Sequence, residues 1–133
     1  MPTIFSWEQF IDIAQFLVQE TKKRDSDIPD EAAYRCAISR SYYAAFHIAL
    51  DYAMDKFGYR PERAGADHGE LRDFMNHHGD AQSGRIAEKL TRLRNWRNQS
   101  DYDAPAYTIN QNTAENAIRE AQEIVDITYT KKT

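Results

Sequence analysis

Residues Ala32–Asp55 read AAYRCAISRSYYAAFHIALDYAMD and contain neither glycine nor proline. The stretch is rich in alanine, so its intrinsic helix propensity is high. Pro29 suits the start of this helix and Gly58 suits its C-terminal stop. Within Cys36–Leu50 the only permanently charged side chain is Arg40. Because a helix that is apolar nearly all round is buried on most sides, we predict a central helix with other helices packed around it.

Two faces of this predicted helix differ in side-chain size. Small side chains on one face would let the axis of a neighbouring helix come close. Arg40 lies on that small face, so its guanidinium must either extend to solvent or be paired. The larger face contains Tyr34, Ile38, Ser41, Ala45, Ile48 and Tyr52, and the smaller face contains Ala33, Ala37 and Ala44.

Length and composition place limits on the class of protein. With 133 residues the chain is long enough for one domain with a sizeable core, which we assign to residues 1–133. A net charge of -4 means that any role with nucleic acid needs a local basic patch. The single cysteine, Cys36, fits a reducing compartment. No signal peptide and no apolar run of about 20 residues is present, so we expect a cytoplasmic protein without a membrane segment.

Four further helices are predicted from capping signals and apolar periodicity. Ser6 with Gln9, and Asn112 with Glu115, have the spacing of capping boxes. No stretch alternates with period two for long enough to form a strand, so we predict an all-α antiparallel bundle of about five helices. The predicted helices besides the central one start at Ser6, His68, Asp80 or Gln82, and Asn112, with loops at Gly58–Asp67 and Ala104–Gln111.

The fourth predicted helix carries a charged pair on its apolar face. Its apolar stripe, which includes Leu90 and Leu93, continues at helical spacing into Arg97 and Asp101. A guanidinium on the line of a core face must be paired or must open into a cleft. An Arg97–Asp101 pair at i,i+4 spacing is sterically natural. The pair is therefore either a structural salt bridge that closes the bundle end or part of an anion site.

A second stripe on the same helix is basic. Arg85, Lys89 and Arg92 follow one another at helical spacing and lead to Trp96. Basic side chains next to an aromatic ring can contact phosphates and stack on a base. A solvated helix face explains the pattern nearly as well, so both interpretations remain open.

Two stretches resemble the paired signatures of the HEPN superfamily. They are SRSYYAAFH at residues 39–47 and RNWRNQSDY at residues 94–102. They are most similar to a branch with an SRxYYAxFH helix and an RxxRxxxDY helix end, and the resemblance extends from about Glu31 to Val125. It implies an all-α HEPN-like bundle that dimerises. Some members of the superfamily are metal-independent ribonucleases, and others are partners of a small nucleotidyltransferase in toxin–antitoxin pairs.

The resemblance also implies a site around Arg97. Nuclease members carry an arginine, four to six intervening residues and a histidine, but Tyr102, Asp103 and Ala104 occupy the three possible positions here. A phenol with a pKa of about 10 is a poor general base at pH 7. We therefore favour a dimeric module that binds RNA, a nucleotide or a cognate nucleotidyltransferase in a toxin–antitoxin or stress/defence context. The alternative is a ribonuclease toxin that uses Arg97, Asp101 and Tyr102.

The remaining polar residues give weaker signals. Arg40 and His47 share a helix face and could lie opposite Arg97. His68, His77 and His78 fit no zinc-binding spacing, so we expect surface or loop-end positions for them. We predict no metal and no cofactor. The residues that we assign to nucleic-acid or nucleotide contact are Arg40, His47, Arg85, Lys89, Arg92, Trp96 and Asn98.

Overall fold

The computed structural model describes residues 5–61, 67–102 and 109–132. Five α-helices and no strands are present in these ranges, which confirms the predicted all-α bundle. The predicted loops at 58–67 and 104–111 fall largely on residues 62–66 and 103–108, outside the described ranges. The helices are α1 (Glu8–Thr21), α2 (Asp30–Phe57), α3 (Asp67–His78), α4 (Ala81–Tyr102) and α5 (Gln111–Lys132).

Helix α2 is the centre of the bundle and contacts each of the other four helices. Its alanine face is buried, so neighbouring helices pack directly on its backbone. Arg40 stays exposed, and its guanidinium lies 5.4 Å from the ring centre of Phe10 on α1, so the side chain extends to solvent over an aromatic ring. Residues of α2 that are fully or nearly fully buried include Ala33, Ala37, Ile38, Ser41, Ala44, Ala45 and Tyr52.

The helix ends show which sequence signals were correct. Gly58 follows α2 with a left-handed φ of 69°, as expected for a glycine C-terminal stop. At the start of α5 the side chain of Asn110, not Asn112, accepts a hydrogen bond of 3.0 Å from the backbone N–H of Thr113. The predicted Asn112 capping box is therefore wrong by two residues. Asp80 caps α4 in the same way, accepting a 3.0 Å bond from the N–H of Ser83.

The connection between α3 and α4 is too tight for a side chain at Gly79. A Cβ at Gly79 would overlap the side chain of Ser83 and would lie 2.9 Å from the carbonyl oxygen of Met75. Because both obstacles belong to the adjoining helices, Gly79→Ala must move one helix against the other. We expect a loss of about 1–3 kcal/mol in the free energy of unfolding, as for other overpacked positions, to be measured by urea denaturation.

Gly84 provides the matched control, because it lies within α4 and has open space around it. The nearest atom to a Cβ at Gly84 is the Oδ1 of Asn76, at 4.0 Å. Gly84→Ala is expected to raise the free energy of unfolding by about 0.5–1 kcal/mol through helix propensity. If Gly79→Ala were as stable as Gly84→Ala, the close approach at the α3–α4 turn would be refuted.

None of the described helices is both long enough and apolar enough to cross a bilayer.

Candidate functional site

Arg97 lies in the last turns of α4 and points at α2. Its Nη2 donates a 2.7 Å hydrogen bond to the hydroxyl of Tyr43, and its Nε lies 3.0 Å from Oδ2 of Asp101. Its Nη1 makes a longer contact of 3.3 Å with Oδ1 of Asn98. The predicted Arg97–Asp101 ion pair is therefore present. The Arg97 side chain is 15% exposed, so the guanidinium sits at the rim of the bundle.

Aromatic rings surround this guanidinium. Its central carbon lies 5.3 Å from the ring centre of Tyr43, 5.4 Å from that of Tyr102 and 5.9 Å from that of Tyr42. Burial by itself would lower the pKa of Arg97, but Tyr43, Tyr102 and Asp101 more than offset it and raise the pKa. Arg97 therefore keeps its charge at every physiological pH. Tyr102 is 72% exposed, so one of the rings beside the guanidinium is open to solvent.

Further contacts fix the end of α4 on α2. The hydroxyl of Ser39 donates a 2.6 Å hydrogen bond to Oδ1 of Asp101. The Nη1 of Arg35 donates to the carbonyl oxygens of Gln99 and Ser100, at 3.1 and 2.7 Å. These carbonyls belong to the last turn of α4, which lacks partners within its own helix. The two stretches that resemble the HEPN signatures thus meet in space through Ser39, Tyr43, Arg97 and Asp101.

His68 is a member of this cluster that sequence reasoning missed. It lies at the start of α3, where its Nδ1 shares a hydrogen bond with the hydroxyl of Tyr42. Its ring stacks on Phe46 with centres 4.2 Å apart, and it lies 5.5 Å from the ring centre of Tyr42. His68 is the second residue of α3 and is partly exposed, which is close to the expected surface or loop-end position, but its packing against α2 was not predicted. No local spacing links His68 to Tyr42, so the sequence carried no signal for this contact between α3 and α2.

Two more arginines act on the same phenol. Burial raises the pKa of Tyr42, while the charges of Arg94, Arg72 and Arg97 partly oppose that rise. Arg72 donates from Nε to the carbonyl oxygen of His68, at 3.2 Å, and from Nη1 to Oγ1 of Thr91, at 3.2 Å.

Among the described residues, two of the three arginines in this cluster have no carboxylate as an ion-pair partner. Among the described residues, neither Arg72 nor Arg94 lies within ion-pair distance of a carboxylate, whereas Arg97 pairs with Asp101. In the described part of the chain, the charges of three guanidinium groups therefore act on Tyr42, and one of these groups, that of Arg97, is paired with a carboxylate. We call Arg72, Arg94 and Arg97, with Tyr42, Tyr43, His68, Asp101 and Tyr102, the Arg97 cluster.

Arg40 and His47 lie outside the Arg97 cluster. The ring of His47 stacks on Trp7 of α1 with centres 3.7 Å apart and planes 6° from parallel. Burial lowers the pKa of His47, and Asp51 partly opposes this. In the described part of the chain neither Arg40 nor His47 contacts Arg97, so the structure does not bring these predicted residues together.

The basic stripe of α4 faces α5 and is largely paired there. Lys89 is only 8% exposed, and its Nζ lies 2.9 Å from a carboxylate oxygen of Glu123 and 3.3 Å from one of Glu120. Arg92 donates to the two carboxylate oxygens of Glu120 from Nε, at 3.3 Å, and from Nη2, at 3.1 Å. These carboxylates neutralise the charges of the two middle members of the stripe. Lys89 and Arg92 therefore hold α4 to α5, and a function based on them has less support than one based on Arg97.

Among the described residues, the outer members of the stripe form no ion pair with α5. Arg85 is exposed and contacts Gln82 within α4, at 3.3 Å. Trp96 is half-buried and packs against the core.

Among the described residues, no three His, Cys, Asp or Glu side chains come close enough together to hold a metal ion. Open grooves of about 310 Å³ lie between α1 and α5 and beside the start of α1, and Arg97 lines neither of them. The Arg97 side chain is 15% exposed, so a ligand would meet it at the surface of the bundle.

Comparison with known proteins identifies a family. The family model described as the HEPN domain matches residues 20–132, which include all of α2, α3, α4 and α5. No curated protein and no solved structure matches the chain.

Proposed function

The chain belongs to the HEPN domain family, and on that premise we propose that it is a homodimeric module that binds RNA or a nucleotide through the Arg97 cluster. Family membership suggests a nucleotide- or RNA-related module. The finer proposal rests on one observation. A charged guanidinium is fixed at the rim of the bundle by Tyr43 and Asp101, with two arginines nearby that have no carboxylate partner among the described residues.

A phosphate at this site would find both charge and geometry. A guanidinium presents donors in a planar fork that matches phosphate oxygens. The bond to Tyr43 and the pair with Asp101 already hold that fork in one orientation. The longer contact to Asn98, at 3.3 Å, is the weakest of the three, so the Nη1 side is where a phosphate oxygen can replace a protein acceptor.

Base stacking would add to phosphate binding at the same place. Tyr102 is exposed and lies over Arg97. A base stacked on an aromatic ring contributes about 1–3 kcal/mol in complexes with single-stranded nucleic acid. RNA with unpaired bases is therefore the ligand that this arrangement favours, and a mononucleotide would use part of the same site.

The biological context that we propose is a toxin–antitoxin or stress/defence system with a small nucleotidyltransferase as partner. HEPN domains commonly dimerise. Helix α1 exposes Ile13 and Phe16, at 50% and 57%, and exposed apolar side chains of this kind are often covered in an assembly. The alternative function is a metal-independent ribonuclease that acts through Arg97 in a dimer cleft.

The salt dependence of RNA binding tests the proposed function. Three arginines that contact phosphates predict a slope of about -2 in log affinity against log salt concentration for a single strand, since each contact contributes about -0.7. Affinity for a fluorescently labelled single-stranded RNA should therefore fall more than tenfold between 50 and 200 mM salt. Fluorescence anisotropy of the full-length protein measures this.

An unlabelled mononucleotide triphosphate should compete with the labelled RNA in the same assay. Binding that does not respond to salt would contradict a phosphate-directed site and would favour a protein partner instead. Absence of RNA binding at 50 mM salt would refute the proposed function.

A further inference from the structure

We propose that the groove between α3 and α4 is a subsite for a guanine base, which Glu88 and Asn76 recognise through hydrogen bonds to its Watson–Crick edge. For a base within an RNA strand the inference rests on the proposed function, because the strand would be held at Arg97. It adds to that function a preference for one base and two residues that lie outside the Arg97 cluster.

The groove is an open recess between the two helices. Its volume is about 250 Å³, and it is lined by Asn76 of α3 and by Ala87, Glu88, Thr91 and Arg92 of α4. Pockets that enclose drug-sized ligands start at about 300 Å³. The recess therefore suits a single base better than a whole nucleotide, whose sugar and phosphate would remain outside it.

Two polar side chains of this groove are available to a ligand. Glu88 and Asn76 are exposed, and within the described ranges neither side chain forms a hydrogen bond or an ion pair. The other two polar side chains are already engaged. Thr91 donates to a backbone carbonyl of its own helix, at 3.0 Å, and Arg92 is held by Glu120, at 3.1 Å. One carboxylate and one amide are therefore the groups that a ligand would meet.

The amide of Asn76 reaches across the groove towards α4. Its Oδ1 lies 4.0 Å from the position that a Cβ would take at Gly84, and Gly84 is one turn before Glu88 on α4. The amide and the carboxylate thus border the same space from opposite sides. A flat ligand that enters between the helices can contact both groups at once.

Guanine is the base whose edge matches these two groups. A carboxylate accepts hydrogen bonds on two oxygens, whereas an amide can also donate. The Watson–Crick edge of guanine presents the O6 acceptor beside two donors, N1–H and N2–H₂. Glu88 can accept from both donors while Asn76 donates to O6. Adenine, cytosine and uracil each place an acceptor where guanine has one of these donors, and that acceptor would face the carboxylate.

The charge of Glu88 also acts against other ligands. A carboxylate repels phosphate oxygens, and it loses hydration without compensation when the acceptor of another base lies against it. Specificity of this kind comes from the penalty on the wrong ligand as well as from contacts with the right one. Glu88 therefore contributes more to the choice of base than to the overall affinity for RNA.

Arg72 connects the groove with the Arg97 cluster. Its Nη1 donates to Oγ1 of Thr91, at 3.2 Å, and its charge acts on Tyr42, whose ring centre lies 5.9 Å from the guanidinium carbon of Arg97. Glu88 precedes Arg97 by nine residues on α4, which is about 14 Å along the helix axis. A single strand that places a phosphate at Arg97 can therefore place a nearby base in the groove, with the Arg72 guanidinium between them.

Binding of short single-stranded RNAs that differ at one base tests this inference. The probes are a labelled oligouridine and copies in which one central uridine is replaced by guanosine, inosine or adenosine. Fluorescence anisotropy measures their affinity for the full-length protein at 100 mM salt. We expect the guanosine RNA to bind about tenfold more tightly than the adenosine RNA, which is the size of one bidentate base contact. The inosine RNA lacks the N2 amino group and should bind with intermediate affinity.

Three variants test which residues recognise the base. Glu88→Gln keeps the size of the side chain but replaces one acceptor with a donor, so the preference for guanosine over adenosine should fall below about twofold. Asn76→Asp removes the donor to O6 and should lose the preference as well. Glu70→Gln is the matched control, because Glu70 is exposed on α3 but does not line the groove, and it should keep the tenfold preference. A preference that survives in Glu88→Gln would overturn the inference.

Free nucleotides show whether the guanine must belong to a strand. Isothermal titration calorimetry compares the binding of guanosine and adenosine monophosphates to the protein without RNA. Tighter binding of guanosine monophosphate, lost in Glu88→Gln, would show that the groove also takes the free nucleotide. No binding of guanosine monophosphate, together with a guanosine preference in RNA, would assign the groove to a base within a strand.

The outcomes also separate this inference from the proposed function. Salt-dependent RNA binding with equal affinity for the guanosine and adenosine RNAs, and no preference among the monophosphates, would overturn the inference and leave the proposed function standing. If the wild type binds none of the RNAs, the proposed function fails. Binding of guanosine monophosphate that is lost in Glu88→Gln would then still support the guanine subsite, and its absence would overturn that as well.

Discussion

Replacing Arg97 with alanine is expected to lower the affinity for single-stranded RNA by about 10- to 100-fold. Tyr43, at 2.7 Å, and Asp101, at 3.0 Å, hold the Arg97 guanidinium in place. Loss of a hydrogen bond to a charged group costs about 1.5–3 kcal/mol, which corresponds to that range of affinity. Fluorescence anisotropy at 100 mM salt measures the effect, and circular dichroism checks that the helix content is unchanged.

Two control variants show whether the loss of RNA affinity depends on the position of Arg97 or only on its charge. Arg119→Ala removes the same charge from the exposed face of α5, where Arg119 contacts Asn116, and should change RNA affinity by less than about twofold. Arg97→Lys keeps the charge but loses the planar fork, so its affinity should lie between those of wild type and Arg97→Ala. Equal losses in Arg97→Ala and Arg119→Ala would indicate diffuse attraction and would exclude a defined site at Arg97.

Replacing Lys89 with methionine is expected to lower the free energy of unfolding by about 2 kcal/mol. Lys89 is nearly buried between α4 and α5, where it pairs with Glu120 and Glu123, and its hydrogen bond is the main cause of the lowered pKa of Glu123. Breaking a fully buried ion pair costs about 3–5 kcal/mol. The expected loss is smaller here because Arg92 still pairs with Glu120. Urea denaturation measures it.

The double variant and a surface control identify the cause of that loss. Lys89→Met combined with Glu120→Leu removes the carboxylate that would otherwise stay half-paired, so it should recover part of the lost stability. Arg92→Ala should cost only about 0.5 kcal/mol, because the Arg92 side chain is 46% exposed and such pairs contribute little. If Lys89→Met cost no more than Arg92→Ala, the pair would not stabilise the α4–α5 contact.

Features that depend on one helix were predictable from the sequence. The alanine-rich α2, its stop at Gly58 and the Arg97–Asp101 pair all follow from propensity or from i,i+4 spacing. The family resemblance was confirmed by the HEPN domain match. Each of these signals is local, so it can be recognised without knowing how the helices pack.

Features that depend on two helices were not predictable in the same way. The basic stripe of α4 suggested a nucleic-acid face, whereas its middle members are paired with α5. Nothing in the sequence of α4 indicates which side of this helix meets α5. Glu120 and Glu123 are three residues apart and so share a face of α5, which was a signal that could have suggested partners for Lys89. The contact between His68 and Tyr42 had no such signal, because it depends on how α3 returns to α2.

The contacts of Arg35 have a consequence for the timescale on which the site changes shape. The last turn of a helix usually frays, because its carbonyl groups have no partners in the helix itself. In α4 a guanidinium from α2 takes up the carbonyls of Gln99 and Ser100. Unwinding of this end therefore requires it to separate from the centre of the bundle. We therefore expect Arg97 and Asp101 to move on the slow timescale on which helices of the core separate, and not on the fast timescale on which free helix ends unwind.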